Sequence, residues 1–390
     1  LTVLINDDIL RLKYWTLTVN LATIINQGEL IMIFGVLSDS HNVEQSVISA
    51  VIEEFKIRGV ELVLHCGDII PQHLDAGLFG GFKVVCALVH PQQMLPEFVF
   101  PPAGWCFTKP QDRVVNLSDF LVYVGHQRSF DFLLGSETEF QKMIMELTKQ
   151  YDGLRFVVSG HTHRQSFVGD GHIIFLNPGA IDGSVGDYEF AIIDSLKNEA
   201  IFSRLSKTKL VGSPYTIGII SDTGNVSERD KNFWHQLALE FKERDVSSVI
   251  HCGNLWLGDI GREEFSNLEV FFNVLPRQDL AAIKQWPGNW HKIDQQVPIV
   301  EIRGHHFYVD YSLGRQYSNH SEYEIGLHAG KLAEKFQQID YVLGGGIANP
   351  LFEGDPDIGI INPGNARKQR KFVTVCLPRN EITFGSVRLN

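Results

Sequence analysis

Apolar residues along the chain alternate between short unbroken runs and helical spacings. Ile31–Leu37 is nearly continuous, which suits a strand buried on both faces. Val47, Ile48, Val51, Ile52 and Phe55 then recur at helical intervals, and Gly59 closes the predicted helix. Val60–Leu64 predicts the next strand. The same succession returns later, as a strand at Thr216–Ile220, a helix carrying Phe233, Leu237, Leu239 and Phe241, and a strand at Val249–Ile250. Shorter strands, among them Phe120–Val124 and Phe156–Val158, follow the first unit. Strands and helices that alternate early and give way to β-rich stretches predict an α/β layered sandwich.

That return is a repeat in the letters as well. GVLSDS (35–40) matches GIISDT (218–223) at an offset of 183, and HCGD (65–68) matches HCGN (251–254) at 186. FVVSGHTH (156–163) aligns with YVLGGGIA (341–348), and NPG (177–179) with NPG (362–364), both at 185. Four anchors in one order at nearly constant spacing predict two tandem copies of one domain, 32–205 and 214–390. The junction is the polar stretch Ser203 to Pro214, closed by Gly-Ser-Pro. Residues 1–31 have no counterpart, and are either an added element on the first domain or a leader ahead of a true start at Met32.

Composition narrows the partners. Acidic residues outnumber basic ones, 46 to 34, and the net charge of −12 argues against a protein that holds nucleic acid or anionic lipid by charge. The five cysteines are odd in number and form no C-x-x-C pair, so neither a disulfide framework nor a zinc ribbon is expected, and a cytoplasmic location fits. No apolar run approaches the ~18 residues of a membrane span.

The first copy carries its chemistry just after its strands. Asp39 and His41 form D-x-H, Asp68 ends HCGD, and His161 and His163 form G-H-T-H. Ligands in open α/β sheets gather at the carboxyl ends of strands. Either motif alone is more often a capping or solvated group. All three in order, with NPG fourteen residues after His163, point to a metal site. Imidazole and carboxylate together suit manganese, iron, zinc or nickel better than calcium. Asp68 is positioned to bridge two such ions.

GVLSDSHN, HCGD, SGHTHR and LNPGA resemble the calcineurin-like metallophosphoesterases, in particular their small bacterial and archaeal phosphodiesterase branch. The resemblance implies a four-layer α/β/β/α sandwich and a phosphate-ester substrate. It implies a first metal on Asp39, His41, Asp68 and His163, all present here. It implies a second on Asp68, His161, an asparagine and a further histidine. Here the sequence departs from the family. His90 stands where the asparagine belongs, and is either a ligand or a surface histidine beside Pro91. Val124 takes the place of the further histidine, with His126 two residues on as a polar residue lining the cleft or, less expected, a ligand. The implied catalytic residues are Asp68, His161 and His126. Pro91 occupies the usual place of a protonating histidine, which favours a diester with a good leaving group.

The second copy keeps Asp222, but Gly224, Asn254, Gly346 and Ala348 replace His41, Asp68, His161 and His163. It is expected to hold no metal. His65 recurs as His251 and Asn177 as Asn362, so these are expected to be structural. The run Arg367-Lys368-Gln369-Arg370-Lys371 is expected to be a solvated loop, with an anion-binding patch as the alternative. The function implied is a metal-dependent phosphoesterase. The alternative is a weak or inactive scaffold that binds protein partners through aromatic residues around Trp286, Trp290 and Tyr311. In either case the two domains are expected to pair within the chain.

Overall fold

The computed structural model describes residues 33–69, 75–88, 102–108, 113–117, 119–126, 137–169, 172–184, 186–207, 212–224, 231–255, 264–274, 287–313, 322–336, 338–346, 349–354 and 358–388. The first half runs β1 (Ile33–Leu37), α1 (Gln45–Ile57), β2 (Leu62–His65), β3 (Lys83–Ala87), β4 (Trp105–Thr108), β5 (Val114–Asn116), β6 (Leu121–Val124) and α2 (Glu137–Gln150). It continues with β7 (Leu154–Val158), β8 (Gln165–Gly169), β9 (Ile174–Pro178), β10 (Tyr188–Asp194) and β11 (Glu199–Leu205). The second half opens with β12 (Tyr215–Ile220), α3 (Lys231–Glu243), β13 (Val246–His251), β14 (Glu269–Phe272), β15 (Trp290–Lys292), β16 (Ile299–Ile302) and β17 (His305–Asp310). It ends with α4 (Glu322–Phe336), β18 (Tyr341–Gly344), β19 (Leu351–Gly354), β20 (Gly359–Asn362), α5 (Ala366–Gln369), β21 (Lys371–Leu377) and β22 (Glu381–Ser386).

These strands form two sheets. One has 12 strands in the order β15-β14-β13-β12-β21-β22-β11-β10-β1-β2-β3-β4. The other has 10, in the order β16-β17-β18-β20-β19-β8-β9-β7-β6-β5. Successive side chains of β1 leave opposite faces of its sheet. Phe34 and Val36 enter the core between the sheets, with Val122 and Phe156 from the smaller sheet. Leu37 faces outward onto α1, among Val47, Val51 and Phe55. Burial on both faces is what the continuous apolar run of β1 encodes. Helix α2 covers the other sheet through Ile144 and Leu147. In the second half, α3 covers the larger sheet and α4 the smaller. The layers are therefore α/β/β/α.

Two details refine the expected elements. Gly59 is left-handed at φ 68° just past α1, as a helix-closing glycine requires. Leu239 does not share the buried face of α3. It is 39% exposed, while Trp234 packs inside with Phe233, Leu237 and Phe241. Among the described residues no helix is long and apolar enough to cross a membrane.

Both sheets pass through the seam between the halves without interruption. In the larger, β11 pairs antiparallel with β22, Ile201 facing Thr383. In the smaller, β8 pairs antiparallel with β19, Phe352 facing Phe167. Phe167 and Phe202 from one half meet Phe384 and Phe352 from the other. The Phe167 and Phe384 rings stack at 4.4 Å, and Phe202 lies 4.9 Å from Phe352. All four are almost wholly buried. Two ion pairs cross in opposite directions. Arg58, just past α1, reaches Glu381 at the start of β22, and Arg244, just past α3, reaches Glu199 at the start of β11. The two halves are joined through both sheets and share one core.

Glu189 on β10 is buried close to this seam, with Arg204 Nε 3.1 Å from its Oε1. Burial outweighs the arginine and pushes the carboxyl up to about 7 from a usual value of 4.5. A raised folded-state value means the native chain holds this proton more tightly than the unfolded one. Its stabilising contribution is full below about pH 4.5 and is lost as pH rises toward 7. His65 and His251, pushed down to about 4 by burial, act in the opposite sense. The measurement is therefore a difference between two proteins. Glu189→Gln is expected to gain on the wild type by on the order of 3 kcal/mol between pH 4.5 and 7 in urea unfolding. Parallel stability curves for the two would refute this.

Candidate metal centre

The loops after β1, β2 and β7 meet at one end of the first half. Asp39, Asp68, His161 and His163 all have left-handed backbones, with φ of 54°, 54°, 82° and 59°. Left-handed residues other than glycine are uncommon, and here four of them are gathered in one place. Backbone hydrogen bonds lock the loops together: Asp39 N donates to Gly67 O and Ser40 N to Asp68 O, each at 3.1 Å. Gly160 lies so close to Ser38 that no side chain fits there. Asn177, in the NPG turn, donates to Gly160 O and Thr162 Oγ1, so it shapes the loop that carries both histidines.

The Asp39 carboxylate is fully buried at the centre. Its Oδ2 accepts from Ser38 Oγ at 2.6 Å and from His161 N at 3.1 Å. Its Oδ1 is buried with no aligned hydrogen-bond donor. Around that oxygen stand His163 Nε2 at 3.2 Å and His126 Nε2 at 3.7 Å. His126 Nε2 is also 3.7 Å from Asp68 Oδ2 and 3.3 Å from His161 Nδ1. His41 Nε2 lies 2.9 Å from Asp68 Oδ2. The donor atoms of Asp39, His41 and His163 fall within 4.8 Å of one another, as do those of Asp39, Asp68 and His126. Mixed nitrogen and oxygen donors around an unsatisfied buried carboxylate oxygen fit a divalent transition metal.

Electrostatics agree with that use. Burial drives the Asp39 carboxyl upward, but His163, His126 and Ser38 outweigh it and hold it below the usual carboxylate range. Burial lowers His41, while Asp182 and Asp68 more than compensate and raise it. Contact with Asp39 raises His163 against the opposing effect of burial. His126 goes the other way, because burial outweighs its carboxylate neighbours and favours the neutral ring. Its Nδ1–H donates to Cys66 O at 3.1 Å, which leaves the Nε2 lone pair facing the centre.

Residues 32–198 match the family model of the calcineurin-like phosphoesterase superfamily domain. That segment is a calcineurin-like phosphoesterase domain. No curated protein matches the chain. A predicted phosphoesterase from Streptococcus pneumoniae is 23% identical over 45% of this chain and 89% of its own, with a TM-score of 0.31. An archaeal phosphodiesterase is 22% identical over 45% of this chain and 100% of its own, at 0.34. Vacuolar protein sorting 29 of Cryptosporidium parvum is 17% identical over 46% and 95%, at 0.33.

Within the phosphoesterase domain, Asp39, His41, Asp68, His126, His161 and His163 all converge on one place. His90 lies outside the described residues. Val124 is buried in the core between the sheets. His126, expected chiefly as a lining residue, stands between both carboxylates and His161. His65 is structural: its Nε2 meets Ser40 Oγ at 3.0 Å and its Nδ1 accepts from Gly67 N. His251 repeats this with Thr223 and Gly253.

Sequence reasoning missed what fills the equivalent place in the second half. Asp222 and Asn254 keep the left-handed backbone, at φ 58° and 57°. Asp222 Oδ2 accepts from Ser221 Oγ and Gly346 N, just as Asp39 Oδ2 accepts from Ser38 and His161. Its Oδ1, however, accepts from Asn254 Nδ2 at 3.0 Å and from Tyr311 Oη at 2.5 Å. The Tyr311 ring lies against Gly253, Gly345 and Gly346. It therefore does not belong to an open aromatic surface. Trp290 packs on Phe272, and Trp286 lies outside the described residues. The signal was available, because Tyr311 stands 185 residues after His126. In the basic run, Arg367 Nη1 donates to Gly224 O at the mouth of this plugged site, and Lys371 is buried.

Proposed function

We propose that the first half is a metal-dependent phosphodiesterase. Asp39, His41, Asp68 and His163 hold one manganese, iron, zinc or nickel ion. Asp68, His126 and His161 serve a second, with His126 standing in for the histidine that Val124 replaces. The observation that carries this reading is Asp39 Oδ1, a buried carboxylate oxygen without an aligned donor, ringed by imidazole nitrogens. A bound metal supplies hydroxide from water near neutral pH and offsets charge on the phosphoryl oxygens.

The protein groups do the rest. His41 commits Nδ1 to Asp182 and so offers Nε2, which gives up its proton as ligands must. His126 is held neutral by burial, and its Nδ1–H bond to Cys66 O leaves Nε2 as the nitrogen with the free lone pair. His161 sits exposed at the rim, where its ring can steady a substrate phosphate. The matching offsets and parallel strand orders support two copies of one domain, 32–205 and 214–390, the second without a site. The free thiols of all five cysteines support a reducing, cytoplasmic setting.

The test is metal analysis of the purified protein together with hydrolysis of bis(p-nitrophenyl) phosphate in added manganese. Bound transition metal and turnover are expected. A chain that takes up no metal and leaves the diester intact would overturn the assignment and favour the scaffold reading.

A further inference from the structure

One short loop touches the outer nitrogens of two site histidines. His41 Nδ1 lies 2.8 Å from Asp182 Oδ2, and His163 Nδ1 lies 2.8 Å from Ser184 Oγ. The loop is itself braced. Ser184 N donates to Asp182 Oδ1 at 2.8 Å, Lys207 Nζ donates to Gly183 O at 2.7 Å, and Ile181 N donates to Ser38 O at 3.1 Å. Gly183 is left-handed at φ 67°, which lets residues 182 and 184 reach their two histidines from one turn. The inner nitrogens of the same rings, both Nε2, face Asp68 and Asp39.

The second half supplies an internal comparison. At the 185-residue offset, Asp182 corresponds to Arg367, Ser184 to Gln369 and His163 to Ala348, and at the 183-residue offset of the first anchor His41 corresponds to Gly224. Arg367 donates to the backbone of Gly224, and Gln369 Nε2 turns to Asn349 Oδ1. Where the histidines are absent, the groups that would orient them are absent too, and one has reversed its charge. A loop conserved only for its turn geometry has no need to change at those two positions in particular.

We propose that Asp182 and Ser184 are positioning residues for the first metal, fixing the tautomer and aim of His41 and His163. This rests on the metal-site reading above and adds residues that no motif in the chain marks. An outer carboxylate on a ligand histidine orients the ring and strengthens its donor nitrogen, and its loss costs metal affinity. Asn in place of Asp182 keeps an acceptor oxygen for the turn but offers His41 a neutral amide in place of a carboxylate, so it weakens the hold on the ring without removing the loop.

The experiment is titration of the full-length, metal-stripped protein with cobalt(II), followed by visible absorption, alongside thermal unfolding without metal. Asp182→Asn is expected to weaken binding of the first cobalt equivalent by about 10- to 100-fold, with an unchanged metal-free melting temperature. Ser184→Ala is expected to weaken it in the same direction, by less. Asp187→Asn, a change to another acid that instead accepts from Lys207 N, is expected to leave affinity unchanged. Affinity within two-fold of wild type in both loop variants, or an equal loss in Asp187→Asn, would overturn the proposal. A wild-type chain that binds no cobalt would instead overturn the metal-site reading on which it rests.

Discussion

Asp68→Asn is expected to empty the centre and lower diester turnover by a factor on the order of 10²–10³ or more, while leaving the fold intact. The second half already contains this substitution as Asn254. There the amide keeps the left-handed backbone at φ 57° and turns its Nδ2 to Asp222 Oδ1. An asparagine at 68 has the same backbone to adopt and the same kind of oxygen within reach, Asp39 Oδ1. The side chain that would offer a cation a charged carboxylate would instead cap the Asp39 carboxylate with its amide and keep a single neutral oxygen. Metal content per chain, measured beside a melting curve, checks this. Stoichiometric metal in the variant would mean that Asp68 is no ligand. A collapsed melting temperature would mean that its main role is structural.

The second large effect lies at the seam. Residues 32–207 expressed alone are expected to associate with themselves rather than stay monomeric. Cutting there bares Phe167 and Phe202 and leaves the edges of β8 and β11 unpaired, and an exposed edge beside apolar surface seeks a partner strand. A second copy of the fragment offers the same two phenylalanines that Phe352 and Phe384 supply in the intact chain. Self-complementary surfaces of this kind close into two-fold pairs. In the full chain, Phe384→Ala is expected to cost about 3–5 kcal/mol, the usual penalty for deleting a buried ring. Light scattering reads the first outcome and denaturant unfolding the second. A stable, monodisperse monomer of the fragment would show that the seam contributes little.

Much of this was legible in the order of residues. The helix closed by Gly59 and the strand ends that carry Asp39, Asp68 and His161 follow from local periodicity and from punctuation by glycine. The loss of ligands in the second half follows from aligning the repeat. Three things were not legible, and each for a reason of distance. Asp182 lies 141 positions from His41, in a stretch with no motif of its own. The repeat offset sets Tyr311 against His126, but nothing along the chain shows that its hydroxyl reaches Asp222, 89 positions earlier. The phenylalanine cluster joins residues that no local pattern relates. His126 is the intermediate case. Its position two residues past Val124 was plain, and its reach was not, because reach depends on the bond from its Nδ1 to Cys66 O.

The crossed pairs Arg58–Glu381 and Arg244–Glu199 tie two like halves at a single covalent address. In an assembly of identical chains every substitution is made twice, and both sites change in step. Here each position exists once. Tyr311 can cap the Asp222 carboxylate while Asp39 Oδ1 is left without an aligned donor, and a charge can reverse at 367 without touching 182. A fold whose two halves share one chain is thus free to be lopsided, with a cluster of carboxylates and histidines at one end and a capped carboxylate at the other.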